Sequence, residues 1–423
     1  MVLAIVVFFV LLIIGVPVAH VVLGAAAAGI LAGGTAGTLL AQQTVLGMNS
    51  YVILCVPFFI ISGDLAAKGQ TSQKLVNAIN ALMGHLPGGL GIATIFSCAL
   101  FGAITGSSIA CVVAIGALML PKLLEAGYPK PLVLGIITTA GTLGVMIPPS
   151  VPMLQISVAM GVSVAQGFLS GVIPGILCAV LMSVYVFLRA KKLNLPRAEK
   201  KTIREILHTL ADSFWALMFP VIILGSIYGG IATPTEAAVI SVFYVLFVEL
   251  VIYRTIPIGQ IWNIIKGSTV SAAALTLTIA TAQVFVWFMT TENMPAIIYE
   301  ALVGSVGSKY MMLFLLCLLF LIVGCFTNVA TVVIILGPIM LPVLQYFGID
   351  LLQFGVIAVL MSQIGFVSPP FGLCLFVSMK VAKASMLEVI KGSWPFLVCL
   401  AIGTLLVIFV PQLATWMPGL MGG

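Results

Sequence analysis

Apolar residues do not alternate along this chain; they run in long uninterrupted blocks with helical length. Blocks of this kind recur from one end to the other, and the short apolar–polar alternation of a membrane β-barrel is absent. The blocks predict membrane crossings at roughly 3–33, 46–66, 131–160, 165–188, 213–230, 234–253, 267–290, 352–379 and 393–416. Two further apolar segments, 86–125 and 310–347, are interrupted in the middle by small and polar residues. One carries FGAITGSSIA (101–110) and the other VGCFTNVAT (323–331). Irregular backbone at membrane depth persists only where protein or a wet cavity surrounds it, so both segments are predicted to be re-entrant hairpins.

Two prolines stand side by side in IPPS (147–150), inside the apolar run TTAGTLGVMIPPSVPMLQISV. Proline lacks the amide that a helix needs and its ring crowds the preceding turn, so this pair predicts a broken helix. Sliding the sequence by 221 residues gives the pair a twin. Gly116, Met119, Leu120, Pro121, Leu123 and Gly127 land on Gly337, Met340, Leu341, Pro342, Leu344 and Gly348, and Gly144, Pro148 and Pro149 land on Gly365, Pro369 and Pro370. Ser107 lands on Asn328, so the two polar hairpin tips are in register as well. A shared double proline and a shared Met-Leu-Pro at one offset point to internal duplication.

Composition agrees with a membrane protein and narrows the class. The chain is 62% hydrophobic and 7% charged, against about 25% charged in soluble domains. Seven of its 17 Lys and Arg fall in RAKKLNLPRAEKKTIR (189–204), read as a cytoplasmic loop lying against anionic headgroups. With that loop inside, Lys68, Lys74, Lys122, Lys130, Arg254, Lys266, Lys380, Lys383 and Lys391 also fall inside, and Lys309 alone falls outside. The N-terminus is then predicted inside and the C-terminus outside. The base of the first hairpin carries Lys122 and Lys130, whereas the second, QYFGIDLLQ, carries only Asp350. The repeats are therefore predicted to be inverted, the signature of a secondary transporter with its sites at the repeat interface.

A helix broken at mid-membrane offers carbonyls to a cation at one half and amides to an anion at the other. The first sodium site is predicted at Ser107, Ser108, Gly144, Ile147 and Pro149, and the second at Thr327, Asn328, Gly365, Ser368 and Pro370. Substrate contacts are predicted at Thr105, Ser107, Ser150 and Asn328. Other polar residues have structural explanations. Thr233, Pro234 and Glu236 form a capping box with proline in the first turn, and Asp64 is placed to pair with Lys68 at i,i+4. The eight cysteines are scattered singly and read as small buried hydrophobes. No nucleophile–base pair, metal-ligand cluster or Walker motif is present, so neither an enzyme nor an ATPase is expected, and no cofactor is called for beyond Na⁺ as the coupling ion. A channel remains the alternative, disfavoured by the unlike tips GAITGSS and CFTNVAT.

These motifs carry a family resemblance. GHLPGGLGIATIFSCALFGAITGSS, LPKLLEAGY and GVMIPPSVP, together with PFFIISGDL, TPTEAAVISVFY and the stretch from LPVLQYFGID to SPPFG, resemble the large membrane subunit of TRAP (tripartite ATP-independent periplasmic) transporters over nearly the whole chain. The resemblance implies an all-α polytopic protein of the inner membrane. It implies an inverted-repeat, elevator-type transporter with two re-entrant hairpins and two discontinuous helices. It further implies Na⁺ coupling, a small four-helix membrane subunit as partner, and a periplasmic binding protein that delivers an organic anion: a C4-dicarboxylate, sialic or another sugar acid, or a sulfonate. An inverted-repeat symporter working without a binding protein is the other reading. The chain departs from the family pattern at Cys111 and Asn328, where aspartates are common. The units expected are 1–85 (scaffold helices), 86–188 (first repeat), 189–212 (basic loop), 213–309 (scaffold and arm helices), 310–392 (second repeat) and 393–423 (C-terminal helix).

Overall fold

The computed structural model describes residues 2–34, 36–49, 51–326 and 329–420. Among them the chain is helical throughout, with no strand. In order the helices are α1 (Val2–Ile13), α2 (Val18–Ala32), α3 (Thr38–Met48), α4 (Cys55–Lys68), α5 (Thr71–Met83), α6 (Gly89–Thr105) and α7 (Ser108–Glu125). Then follow α8 (Lys130–Ala140), α9 (Val151–Met160), α10 (Val164–Lys192), α11 (Ile203–Asp212), α12 (Phe214–Tyr228), α13 (Pro234–Phe247) and α14 (Ile258–Thr291). The last third contains α15 (Met294–Ser305), α16 (Lys309–Phe326), α17 (Val329–Tyr346), α18 (Leu351–Phe366), α19 (Leu373–Ala382), α20 (Met386–Phe409) and α21 (Gln412–Gly419). Among the described residues, six unbroken helical stretches are long and apolar enough to cross a bilayer, or seven if the pair α11–α12, bent by 64°, is one span.

The sequence repeat is also a repeat of elements. Ser108 opens α7 and Val329 opens α17, 221 residues apart; Glu125 and Tyr346 close them at the same spacing. Lys130 and Leu351 open α8 and α18 at 221, Val151 and Leu373 open α9 and α19 at 222, and Val164 and Met386 open α10 and α20 at 222. Both predicted broken helices are present. The first runs α8, a 3-10 turn over Gly141–Val145, the prolines, then α9; the second runs α18, the prolines, then α19. At 1.5 Å per residue, the 11 residues of α8 and the 10 of α9 each span about 15 Å, half of a hydrocarbon core of about 30 Å. The Pro148–Pro149 and Pro369–Pro370 peptide bonds are both cis.

Each broken helix packs on the first arm of its own hairpin, and the second arms reach into the other repeat. α6 lies on the 3-10 turn and α16 on α18, while α7 packs against α19 and α17 against α9. Contact is at backbone distance. A Cβ added to Gly102 on α6 would stand 1.8 Å from the Cα of Gly144, and one added to Gly365 on α18 would stand 2.7 Å from the carbonyl carbon of Gly324 on α16. The repeats also interlock through α8 and α20, where a Cβ on Gly135 would fall within 2.1 Å of the Gly392 carbonyl oxygen. Thr138 Oγ1 donates to Ser378 Oγ at 2.9 Å, and Lys130 pairs with Glu388 at 3.0 Å.

Three expectations need correction. Segment 3–33 is not one crossing: Gly15 (φ +83°) and Pro17 break it, and α1 folds back along α2 with Leu11 over Gly24. Ala4 of α1 and Ile30 of α2 then meet Val284 and Phe288 of α14 in one apolar cluster. The basic segment 189–212 is not all loop, because α10 continues to Lys192 and α11 begins at Ile203 with a Thr202–Glu205 capping box. The predicted crossing 267–290 lies inside α14, whose 34 residues start earlier, at Ile258. The Thr233–Glu236 capping box forms as expected, with both reciprocal bonds and Pro234 in the first turn.

The glycine contact should be intolerant of any side chain. Gly102→Val forces the α6–α8 junction apart and should lower the thermal unfolding midpoint in detergent, with a cost of about 1–3 kcal/mol typical of overpacking. Gly267→Ala, where a Cβ meets nothing within 4 Å, should leave the midpoint unchanged or raise it.

Candidate functional site

Two adjacent prolines remove the amides of residues 148 and 149. In an α-helix those amides would serve the carbonyls of residues 144 and 145, so Gly144 and Val145 lose their i+4 donors. The structure replaces one of them: Ser150 Oγ donates to the Val145 carbonyl oxygen. The same hydroxyl accepts from Met153 N at 3.3 Å as the N-cap of α9. Ser150 is buried and its hydroxyl is thus engaged on both sides, as a staple across the break.

The second break is finished differently. Pro369 and Pro370 remove the i+4 donors of Gly365 and Phe366, and the Gly365 carbonyl accepts instead from Ser368 N at 2.9 Å. Ser368 Oγ donates to the Ile364 carbonyl at 2.7 Å. Phe371, at the position of Ser150, has no hydroxyl and is exposed. Pro148 and Pro149 are buried, whereas Pro369 and Pro370 are exposed.

The first hairpin tip meets the first break. α6 ends at Gly106 in the left-handed conformation (φ +59°), its amide donating back to Gly102 O at 2.7 Å. A Cβ there would stand 3.4 Å from the Pro149 carbonyl oxygen and 3.2 Å from Val151 N. Ser107 caps α7 by accepting from Ala110 N at 3.4 Å. Ser108 reaches across the repeats: its Oγ donates to Gln363 Oε1 on α18 at 2.6 Å, with both side chains buried. Cys111, buried, lies with its Sγ 3.6 Å from Thr105 Oγ1 and 3.7 Å from the Cys98 carbonyl oxygen.

A cavity of about 440 Å³ opens beside this tip. Thr105, Ser107 and Ser108 line one wall together with Gln363. Asp64 and Lys68 of α4 and Ser271 of α14 line the other, and Ile109, Val113, Leu275 and Phe366 supply apolar surface. Of the predicted first-repeat residues, Ser107 and Ser108 line the cavity, as does Thr105. Gly144 lies behind them against Gly102 and Cys111, and Ile147 packs toward Gly175 of α10. Pro149 presents its carbonyl to Gly106. In the second repeat, Gly365 and Ser368 hold each other within the break and Pro370 is exposed. Thr327 and Asn328 lie outside the described residues. Among the described residues no group of His, Cys, Asp and Glu could hold a metal ion, and seven of the eight cysteines are buried.

The expected pairing of Asp64 with Lys68 does not form. Instead Asp64 Oδ2 accepts from the buried Ser268 Oγ of α14 at 2.6 Å, and no ion pair joins it to Lys68. A serine one helix away supplies a fixed donor, whereas a pair four residues apart at a solvated helix end gains only tenths of a kcal/mol. Gln363 is the site residue that sequence reasoning missed. Its signal is an amide two residues before Gly365, following Ser362 in a largely apolar helix.

The family model of the tripartite ATP-independent periplasmic transporter DctM component matches residues 5–413. This chain belongs to that family. It is 34% identical over 396 residues to the C4-dicarboxylate TRAP transporter large permease protein DctM of Rhodobacter capsulatus, covering 90% of both chains. It is 33% identical over 375 residues to the 2,3-diketo-L-gulonate TRAP transporter large permease protein YiaN of Escherichia coli K12, covering 89% of this chain and 88% of the other. Its fold is also that of the Alcanivorax borkumensis YdaH transporter, at TM-score 0.65 and 15% identity over 88% of this chain and 87% of that one. Membership makes the chain a large permease subunit of the TRAP type and a multi-pass membrane protein.

The Ser108–Gln363 bond is the one side-chain hydrogen bond joining the first tip to the second repeat among the described residues. A double-mutant cycle of Ser108→Ala and Gln363→Leu, read by thermal unfolding, should return a coupling of about 0.5–1.5 kcal/mol. A coupling near zero would show that the two repeats are held at the tip by packing alone.

Proposed function

We propose that this TRAP large permease imports a small organic anion against its gradient, driven by Na⁺. The observation that carries the reading is the doubled break. In each repeat a glycine carbonyl has lost its helical donor to a double proline, and each such glycine is pressed against the backbone of a hairpin arm. Paired carbonyl-rich breaks near mid-membrane suit small hard cations that need oxygen ligands and little space. The hydroxyls of Thr105 and Ser107 beside an open cavity supply neutral polar groups for a ligand at the same place, while Ser108 donates to Gln363.

In this reading α6–α9 and α16–α19 form the moving body, with the two hairpins re-entrant. It travels as an elevator past a scaffold that includes α4 and α14, and the cavity between tip and scaffold is the inward-facing substrate chamber. Two relatives are named for the organic acids they carry, a C4-dicarboxylate and 2,3-diketo-L-gulonate, and this supports an organic anion as cargo. The proposed partners are a small four-helix membrane subunit and a periplasmic substrate-binding protein, with the complex in the bacterial inner membrane. Sodium would be held by Ser107, Ser108 and the carbonyls around Gly144–Pro149 in one repeat, and by Thr327, Asn328 and those around Gly365–Pro370 in the other. Ser150 acts here through the Val145 carbonyl, shaping the first break from behind.

The test is uptake by the complete complex in liposomes, with a C4-dicarboxylate and a sugar acid as cargo and the cognate binding protein present. Uptake should require an inward Na⁺ gradient and collapse when K⁺ replaces Na⁺; undiminished uptake in K⁺ would refute sodium coupling. Replacing Pro148 and Pro149 with alanine should restore the missing amides and reduce uptake at least tenfold. Transport unaffected by that change would place the coupling ion elsewhere.

A further inference from the structure

The cavity beside the first tip carries two charged groups, and they are not equivalent. Asp64 is half-buried and its carboxylate is turned to a buried partner, Ser268. Lys68, one turn on, is exposed, lines the same chamber and forms no ion pair with any described carboxylate. Two other lysines of the first half are paired elsewhere, Lys74 with Asp212 at 2.6 Å and Lys130 with Glu388 at 3.0 Å, and neither they, Lys122 nor the lysines of 189–204 line this chamber. An ammonium without an ion-pair partner at the wall of a chamber biases the local potential toward anions.

The walls also differ in kind. Thr105, Ser107, Ser108 and Gln363 belong to the hairpin tip and a broken helix, whereas Lys68 and Ser271 stand on α4 and α14, which pack against each other. We propose that Lys68 is a charge-selecting residue on the scaffold wall, meeting the carboxylate or sulfonate of the anion while it occupies the inward-facing chamber. This deepens the transport reading above and rests on it. Because the tip hydroxyls would travel with the cargo and Lys68 would not, its attraction belongs to the inward-facing arrangement alone. It draws the anion away from the tip toward the chamber mouth and sets affinity from the cytoplasmic side.

The electrostatic half of the proposal can be tested without knowing the cargo. A thiol introduced by Ser271→Cys faces the same chamber, and the native cysteines are buried or nearly so. In the full chain in nanodiscs, its modification is timed with two methanethiosulfonates, one bearing an anionic sulfonate and one a cationic trimethylammonium. The anionic reagent should be favoured. Lys68→Ala should lower the anionic-to-cationic rate ratio about threefold or more, Lys68→Glu further, while Lys68→Arg keeps it and Asp64→Asn raises it. A ratio unchanged in both Lys68→Ala and Lys68→Glu, or an introduced thiol that neither reagent reaches, overturns the proposal. In the reconstituted complex, Lys68→Ala should weaken the cytoplasmic-side apparent affinity in counterflow severalfold, and Lys68→Arg should keep it; an unchanged affinity in Lys68→Ala would count against the proposal. If the unaltered complex takes up no organic anion at all, the transport reading fails, and the reagent ratio still decides the role of Lys68.

Discussion

A backbone carbonyl inside a membrane must find a donor within the protein, and the double prolines deny that to four of them. Much of the surrounding architecture answers this one constraint. Ser150 Oγ and Ser368 N are local replacements, each serving a carbonyl that the prolines stranded. Glycine at 102, 144 and 365 lets the neighbouring backbone come close enough to enclose the first broken segment in protein and to back the second along α16. The hairpins are then needed for stability as well as for any ligand, since only a second chain segment at backbone distance can shield such a break.

The two repeats hold each other at several places as well as each holding itself. α7 lies on α19, α17 on α9, and α8 is keyed into α20 through Gly135, Gly392 and the Thr138–Ser378 bond. The Ser108–Gln363 bond ties the first tip directly to α18, the helix that leads into the second break. The halves have nonetheless diverged. The first break is buried and stapled by a serine; the second presents its prolines and Phe371 at the surface.

What the sequence made readable was periodic or duplicated. The offset of 221 residues located both breaks, and α7 and α17 open and close at that spacing. The tip residues Thr105, Ser107 and Ser108 were readable because hydroxyls are conspicuous in an apolar run, and they do line one chamber. What failed depended on partners distant in sequence. Asp64 chose Ser268, 204 residues away, over the lysine one turn on. Hydrophobicity alone could not show that 3–33 turns back at Gly15 and Pro17, because both arms of that hairpin are as apolar as a single crossing would be. Glu249 gave no local hint either. It is fully buried and accepts from Gln70 N and Thr71 N at 3.0 Å, a cap for α5 supplied from 178 residues away.

At 34 residues, α14 is about 51 Å long, against a hydrocarbon core of about 30 Å. Even at a tilt of about 40°, the steep end of the range for membrane helices, roughly 12 Å of its length must stand clear of the lipid tails. Its first turns carry Gln260, Trp262, Asn263 and Lys266, with Trp262 exposed, as suits a segment emerging among headgroups. One stiff rod thus joins the headgroup layer to the apolar cluster around Phe288. A bilayer of different thickness would have to be absorbed by the tilt of that rod, which makes the angle between α14 and the helices resting on it sensitive to the lipid in which the protein sits.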